Sequence, residues 1–236
     1  NFTPTTSIIK FTQKEILIMK KVVLSVFALA TLTLVSCKNE APKAEEPVNV
    51  EATAADAVVY NADSTSIINW VGSKVGGEHK GTLNLKSGEV AVKDGAVQNG
   101  TFVLDLNSIT VTDLDGDMKA NLEAHLKGTN QDDSADHFFN TAQFPEGKFE
   151  IATLETVDGQ AKVTGNLTLK GITKSVSFPA TIAVNDTEVK IETSEFTINR
   201  TDFNINYGSK TKFTDLAADK VINDEIKLQL VVVAKK

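Results

Sequence analysis

The feature that most constrains this chain is a regular alternation of apolar and polar residues through most of the sequence after Val58. Across residues 161–170, every odd position is apolar or glycine and every even position is polar. A period of two places successive side chains on opposite faces of a β-strand, so one face is buried and the other is in water. The alternation therefore predicts a β-sheet that covers a hydrophobic interior.

Similar segments recur along the chain, separated by residues typical of turns. The turn signals are Lys93-Asp94-Gly95, Asp158-Gly159, residues 171–174 and Asn185-Asp186. Closely spaced short strands without a βαβ rhythm favour an up-and-down barrel or a sandwich over a parallel α/β sheet. We predict strands at residues 66–73, 80–85, 89–92, 102–106, 148–157, 161–170, 176–184, 188–199 and 221–234.

One segment departs from the alternation, at residues 117–127. Four of its residues share one face at helical spacing: Met118, Leu122, His125 and Leu126. Gly128 follows as a helix stop. The pattern predicts a single helix inserted among strands, where it plugs or covers one end of a barrel. The connection after it is rich in phenylalanine, so we expect that connection to pack inward.

The N-terminal region has the pattern of a secretion signal. Two lysines follow Met19, and the apolar run at residues 22–35 is shorter than the ~20 residues that a spanning helix needs. The run ends at Leu34-Val35-Ser36-Cys37, which resembles the lipobox of bacterial lipoproteins, where the cysteine is acylated. Two or more acyl chains anchor a protein stably. We therefore expect a membrane-bound protein; the alternative is a plain signal peptide with an incidental cysteine.

These patterns divide the chain into four parts. Residues 1–18 have no clean period and are interpreted as an upstream extension outside the fold, and residues 19–36 as a lipoprotein signal peptide. Residues 37–57 are rich in Ala, Glu, Pro and Lys, which predicts a flexible tether, and residues 58–236 form one domain. Lys38 after the cysteine favours an outer-membrane protein of the cell envelope that faces the periplasm, and the acidic tether leaves surface exposure open.

Charge and cysteine content narrow the possible functions. The formal net charge is −7, and the chain has no basic patch. Such a surface repels phosphate backbones, so we expect no nucleic-acid partner. Cys37 is the only cysteine, which excludes an intramolecular disulfide and leaves the fold dependent on its hydrophobic core.

Several segments, taken in order, resemble the YceI-like family of lipid-binding envelope proteins. The matching segments are 68–72 with Gly81, 102–109, Leu126, 136–139, 144–149, 165–174 and 199–203. Asn204 departs from the family, which usually has glycine there. The resemblance implies an all-β, eight-stranded antiparallel lipocalin-like barrel around a hydrophobic channel for a polyisoprenoid or similar amphiphile, often in a homodimer.

A site for such a ligand needs an apolar lining and no catalytic residues. We predict eight ligand-binding residues from the aromatic and helical segments: Trp70, Phe102, Leu122, Leu126, Phe138, Phe139, Phe144 and Phe149. Core and channel wall share the same composition, so each of these residues is alternatively part of the plain hydrophobic core.

Three polar residues are weaker candidates for the lipid headgroup. His125 and His137 are expected to meet at the channel mouth beside Asp136, as a headgroup or metal site or merely through local hydrogen bonds. Arg200, the only arginine, is expected either in a structural ion pair or at a headgroup. We predict no metal ion and no cofactor other than the bound lipid.

The sequence does not favour catalysis. Only three histidines are present and no G-x-S-x-G segment occurs, so we predict a protein that is not an enzyme. Residues 113–117 imitate the start of a calcium loop, but Met118 stands where an EF-hand needs glycine. The leading hypothesis is the binding, carriage or storage of an isoprenoid-type lipid. The alternatives are a structural or stress-associated lipoprotein that acts through protein partners and, less favoured, an enzyme of lipid modification.

Overall fold

A computed structural model of the chain describes residues 44–130 and 135–236. The predicted extension 1–18, the signal peptide 19–36 and Cys37 lie outside the described residues. The strands are β1 (Val58–Ala62), β2 (Ile67–Lys74), β3 (Gly77–Lys93), β4 (Ala96–Val111), β5 (Glu146–Val157), β6 (Gln160–Leu169), β7 (Ile172–Val184), β8 (Glu188–Glu192), β9 (Phe196–Asn199) and β10 (Ile222–Lys235). The helix α1 spans Gly116–Lys127, and short 3-10 turns span Arg200–Phe203 and Ala218–Lys220.

The sheet is antiparallel and closes on itself. Each strand from β2 to β7 pairs with the one that follows it, and β10 pairs with β2 on one side and with β8 and β9 on the other. β8 and β9 lie end to end along β10, while β1 continues the line of β2 between β3 and β10. The ring therefore has eight strand positions, and closure leaves no long unpaired edge. The predicted eight-stranded antiparallel barrel with one inserted helix is confirmed.

The alternation in the sequence becomes an inside and an outside of the barrel. In β6, Val163 and Leu167 are buried, whereas Lys162 is exposed. The hairpin between β6 and β7 turns on Lys170 and Gly171, both with positive φ, of 48° and 74°. This is the two-residue geometry that suits the twist of antiparallel strands. The prediction of a turn at 171–174 was therefore wrong, because β7 already begins at Ile172.

Two further strand predictions differ from the structure. Residues 80–85 and 89–92 were expected as separate strands but belong to the single long β3, whose pairing with β4 shifts register between Leu85 and Ser87. A bulge bends a strand without ending it, which the sequence pattern does not distinguish from a loop. Conversely, the predicted strand 188–199 is divided into β8 and β9.

The connections between strands sort to two ends of the barrel. The mouth end carries the β2–β3 turn, α1 with the connection that follows it, the β6–β7 turn and the connection 200–221. The closed end carries the β3–β4, β5–β6 and β7–β8 turns. This separation positions the site, because every irregular segment longer than a few residues between strands lies at the mouth end.

Helix α1 forms where the helical spacing predicted it. Asp115 is in the N-cap position but its side chain makes no capping hydrogen bond, and Gly128 ends the helix with a φ of 72°. A Cβ at Gly128 would lie 2.2 Å from the carbonyl oxygen of Ala135, so only glycine fits there. Among residues 44–130 and 135–236, no helix is long and apolar enough to span a bilayer.

Residues 44–57, here called the strap, lie along the outside of the barrel. Val48 donates its backbone N–H to Asn166 Oδ1 at 2.9 Å, and Asn166 Nδ2 donates to the Val48 carbonyl at 2.8 Å. Glu45 and Ser175 exchange two backbone hydrogen bonds. The sequence predicted a flexible tether over 37–57, and the described part of it differs because polar groups on the wet face of the sheet pair with its backbone.

Candidate functional site

The barrel interior contains an apolar cavity that begins at the mouth end. The cavity has a volume of about 240 Å³. One water needs roughly 10–15 Å³ of such space, so the cavity is far larger than a water site. Its volume lies just below the roughly 300–1,000 Å³ found for pockets that bury drug-sized ligands.

Seven of the eight predicted ligand-binding residues line this cavity: Trp70, Phe102, Leu122, Leu126, Phe138, Phe139 and Phe149. Phe144 is not among the lining residues. It is half-buried over the β6–β7 turn, where a Cβ on Gly171 would lie 3.5 Å from its ring. The structure thus brings residues from β2, β4, β5, α1 and the aromatic connection to one wall, and their contact with a ligand stays a prediction.

Trp70 is held against the wall by its neighbour across the β2–β3 pair. Its indole N–H donates to the carbonyl oxygen of Thr82 at 3.2 Å, and Trp70 is paired with Gly81. A Cβ at Gly81 would lie 1.9 Å from the Thr110 carbonyl oxygen and 2.5 Å from the indole. Gly81 therefore lets the ring lie close to the sheet, and any side chain there would push Trp70 toward the cavity.

Helix α1 and the aromatic connection cover the cavity together. Leu122 and Leu126 reach the lining from the helix, and Phe138 and Phe139 reach it from the connection. The backbone N–H of Phe139 donates to the Leu126 carbonyl at 3.1 Å, which satisfies one of the free carbonyls at the helix end. No residue of α1 is fully buried.

Polar residues in the lining gather at the mouth end. They are Ser73, Lys74, His79 and Arg200. His79 Nδ1 pairs with Asp113 Oδ2 at 2.9 Å, and the backbone N–H of Lys80 donates to Asp113 Oδ1 at 2.9 Å. Partial burial would raise the pKa of Asp113, but these two hydrogen bonds hold that pKa below its ordinary value. The polar side chains of the lining therefore lie at the mouth end, while almost all of the lined surface is apolar.

Arg200 is buried and bonded to the protein. It donates from Nε to the Asn223 carbonyl at 3.0 Å, from Nη1 to the Ile205 carbonyl at 2.7 Å and from Nη2 to the Ile222 carbonyl at 3.1 Å. Asp224 Oδ1 lies 3.4 Å from Nη2. Burial lowers the pKa of Arg200, and Asp224 partly offsets that effect. These contacts favour the ion-pair interpretation of Arg200 over the headgroup interpretation.

His125 and His137 meet as the sequence led us to expect. His125 Nε2 lies 2.9 Å from His137 Nδ1, and the ring of Tyr207 stacks on His137 with centroids 4.1 Å apart. Neither histidine lines the cavity, although Phe138 beneath them does. In the described parts of the chain, no group of three or more His, Cys, Asp or Glu side chains is placed to hold a metal ion.

A buried lysine ties the aromatic connection to the β6–β7 turn. Lys170, whose side chain is 3% exposed, donates to the carbonyl oxygen of Asp136 at 3.1 Å and to its Oδ1 at 2.7 Å. The hydrogen bond from Lys170 holds the pKa of Asp136 below its ordinary value. The ion pair between the buried Lys170 and Asp136 thus holds the aromatic connection in place above the cavity.

Sequence reasoning missed most of the aliphatic wall and two residues of the mouth. The wall includes Leu83, Leu104, Leu106, Ile109, Leu167 and Leu169, each of which follows from the inward face of an alternating strand. His79 in the entrance and Tyr207 over the histidine pair had no such signal. Their places depend on how the connections fold over the barrel end.

Two solved structures of other proteins have folds similar to that of this chain. The chain is similar to BcnA from Burkholderia cenocepacia, whose crystal structure is matched with a TM-score of 0.55 at 21% identity, over 73% of this chain and 99% of that one. It is also similar to a polyisoprenoid-binding domain from Saccharophagus degradans that is implicated in plant cell wall breakdown, with a TM-score of 0.51 at 17% identity, over 75% of this chain and 97% of that one. No curated protein shows a significant match.

The family model of the YceI-like domain matches residues 59–234. That range runs from β1 to the end of β10 and so includes every strand that closes around the cavity. The resemblance inferred from the sequence segments is confirmed at the level of the family. The chain is a member of the family of YceI-like domains.

Proposed function

We propose that this protein binds an isoprenoid-type or other long-chain amphiphilic lipid inside the barrel and carries or stores it in the bacterial envelope. The observation that supports this function is the apolar cavity inside the barrel. Each methylene moved from water into such a cavity contributes about 0.8 kcal/mol. A prenyl chain of some length therefore binds without any catalytic residue or cofactor.

The hollow interior favours binding over the alternative of a structural lipoprotein whose barrel is filled by its own side chains. The Saccharophagus degradans relative is a polyisoprenoid-binding domain, which supports the same ligand class here. We further propose that acylated Cys37 anchors the protein to the outer membrane, facing the periplasm. A homodimer stays a prediction that measurement of mass in solution tests.

Lipid analysis of the natively purified protein tests the proposal. We expect native mass spectrometry to show a bound amphiphile that organic solvent extracts. Val176→Trp places a large ring in the lined space and should abolish this extra mass. Ser177→Trp adds the same ring on the adjacent exposed position and should leave the lipid bound.

Two outcomes would contradict the proposal. One is a purified protein without lipid that also takes up no prenyl chain after extraction. The other is equal lipid content in both tryptophan variants, since a ligand outside the barrel would not sense Val176.

A further inference from the structure

Followed from residue 57 back to residue 44, the strap runs from the closed end of the barrel to the mouth end. Near the closed end, Asp56 pairs with Lys93 at 3.0 Å and Thr53 contacts Asn99 at 3.1 Å. The strap then crosses Asn166, and at its other end Ala44 donates its N–H to Asp202 Oδ2 at 2.9 Å. Asp202 belongs to the 3-10 turn that follows Arg200 at the mouth end.

The length of chain beyond the strap is short. Seven residue steps separate Cys37 from Ala44. A fully extended chain spans at most about 3.3–3.6 Å per residue, so this length reaches no more than ~25 Å. An acyl anchor on Cys37 would therefore keep the mouth end, and not the closed end, next to the membrane.

The mouth end also exposes large apolar side chains. Four lie on the segments around the entrance: Val75 at 58%, Met118 at 66%, Tyr207 at 37% and Phe213 at 50% exposure. Met118 stands one helical turn before Leu122, which lines the cavity, and Tyr207 packs on Phe138, which also lines it. The exposed apolar rim is thus continuous with the apolar interior.

The rim includes a short basic segment between two exposed aromatic residues. From Tyr207 to Phe213 the sequence carries Lys210 and Lys212 and no acidic residue, although the whole chain has a net charge of −7. Both lysines are exposed, and neither has an ion pair among the described residues. Aromatic side chains favour the membrane interface, and lysines are attracted to anionic lipid headgroups.

We propose that the mouth end is a membrane-docking surface, which sits on an anionic bilayer through the rim formed by Val75, Met118, Tyr207, Phe213, Lys210 and Lys212. The inference rests on the proposed function in one respect, namely that the cavity receives a lipid. Docking by the rim places the entrance of the cavity at the headgroups. A prenyl chain then passes between bilayer and cavity without crossing water.

Environment-sensitive labels at the two ends of the barrel test this orientation. In a full-length Cys37→Ser background, Phe213→Cys and Val157→Cys each provide one labelling site for a nitrobenzoxadiazole dye. The two positions are matched, since Phe213 is 50% and Val157 48% exposed, but Val157 lies at the closed end. With phosphatidylcholine vesicles that contain phosphatidylglycerol, we expect a blue shift and a several-fold rise in emission at position 213 only.

Charge-reversal variants test the basic segment. Two lysines near an anionic surface contribute about 1 kcal/mol each, so Lys210→Glu with Lys212→Glu should weaken vesicle partitioning of the Cys37→Ser chain by at least tenfold. The matched control reverses Lys162 and Lys236, which are exposed, unpaired among the described residues and remote from the mouth. That control should bind nearly as well as the parent chain.

Equal dye shifts at both positions, no shift at either, or equal weakening by both double variants would overturn the docking proposal. Its failure is separable from failure of the proposed function. A chain that purifies without lipid but shows the shift at position 213 retains the docking surface. A chain that carries lipid but shows no shift loses only the docking surface.

Discussion

The two halves of the barrel interior have the same eight-stranded frame and different contents. In the closed half, Val90, Val189 and Ala234 are fully buried, and Tyr60 donates its hydroxyl to the Asn185 carbonyl at 2.9 Å. In the hollow half, beneath α1, the same inward alternation surrounds a cavity. A layer of residues packs against both: Leu85, Phe149, Val176, Phe196 and Leu230.

Rings that cross the interior mark the change from one half to the other. Phe178 stacks on Phe196 with centroids 4.4 Å apart and lies 5.6 Å from Phe149. The cavity wall continues past these rings to Ile151, Val163, Ile191 and Val232, whereas Val90 and Val189 do not line the cavity and are fully buried. Both halves have a buried hydrophobic cluster, and the hollow half adds polar contacts around Arg200, Lys170 and Asp113. A binding protein can thus concentrate its stability at one end and leave the other free to admit a ligand.

The largest effect is expected from loss of the polar contacts at Arg200. Arg200→Met leaves three carbonyls without their Arg200 donor and removes the positive charge beside the mostly buried Asp224, and we expect about 3–5 kcal/mol lower free energy of unfolding in urea. Lys227→Met is the control, because Lys227 and Glu195 form an exposed pair. Its effect should be far smaller, because solvent screens an exposed ion pair. Similar losses in both variants would contradict a structural role for Arg200.

A pair of alanine substitutions compares the halves directly. Val189→Ala removes two methyl groups from the filled half and should lower the free energy of unfolding by about 2 kcal/mol. Leu122→Ala removes more atoms but borders space that is already open, so we expect less than about 1 kcal/mol. Urea unfolding of both variants measures the difference. A larger loss for Leu122→Ala would mean that the hollow half is packed in solution.

The contact between Asp136 and Lys170 should make the cover over the cavity sensitive to acid. The pKa of Asp136 is lower in the folded protein than its ordinary value of 3.8, so the contact stabilises the fold above that value and is lost as pH falls through the folded pKa. Hydrogen-exchange protection of residues 135–144, corrected for the intrinsic exchange rate at each pH, should therefore fall in acid below pH 3.8 more than protection at the closed end does. In Asp136→Asn we expect low protection already at pH 6, with little further loss in acid; unchanged protection would refute the role of this contact.

The smallest effect concerns an exposed ion pair at the closed end. The hydrogen bond from Lys235 lowers the pKa of Asp63 from 3.8 to about 2, together with hydrogen bonds from Thr65. Its stabilisation is present above pH 3.8 and lost as pH falls toward 2. NMR titration should show this low midpoint, and Lys235→Met should move it up toward 3.8 without opening the barrel. An Asp63 midpoint that stays near 2 in Lys235→Met would show that Lys235 is not the cause.

Much of the fold follows from local signals. The inward faces of the strands, the helix with its stop at Gly128, and the Asp94-Gly95 and Asp158-Gly159 turns were all readable because each depends on residues close together in sequence. The merger of two predicted strands into β3 was not readable, since a bulge is defined by the partner strand. The docked strap was missed for a similar reason, because its partners Asn166 and Ser175 are more than a hundred residues away.

The sequence by itself determined that this protein is a β-sheet with an apolar inside and a polar outside, because the period of two is a local property of the chain. The closure of that sheet into a barrel is a matter of which strands pair, namely β10 with both β2 and β8. Only the tertiary structure decided which half of that inside is hollow. Core and cavity wall have the same pattern and the same residue types, so the sequence pattern does not separate them. The hydrogen bond from Arg200 to the Ile205 carbonyl and the stacking of Tyr207 on His137 are likewise decided by the tertiary structure.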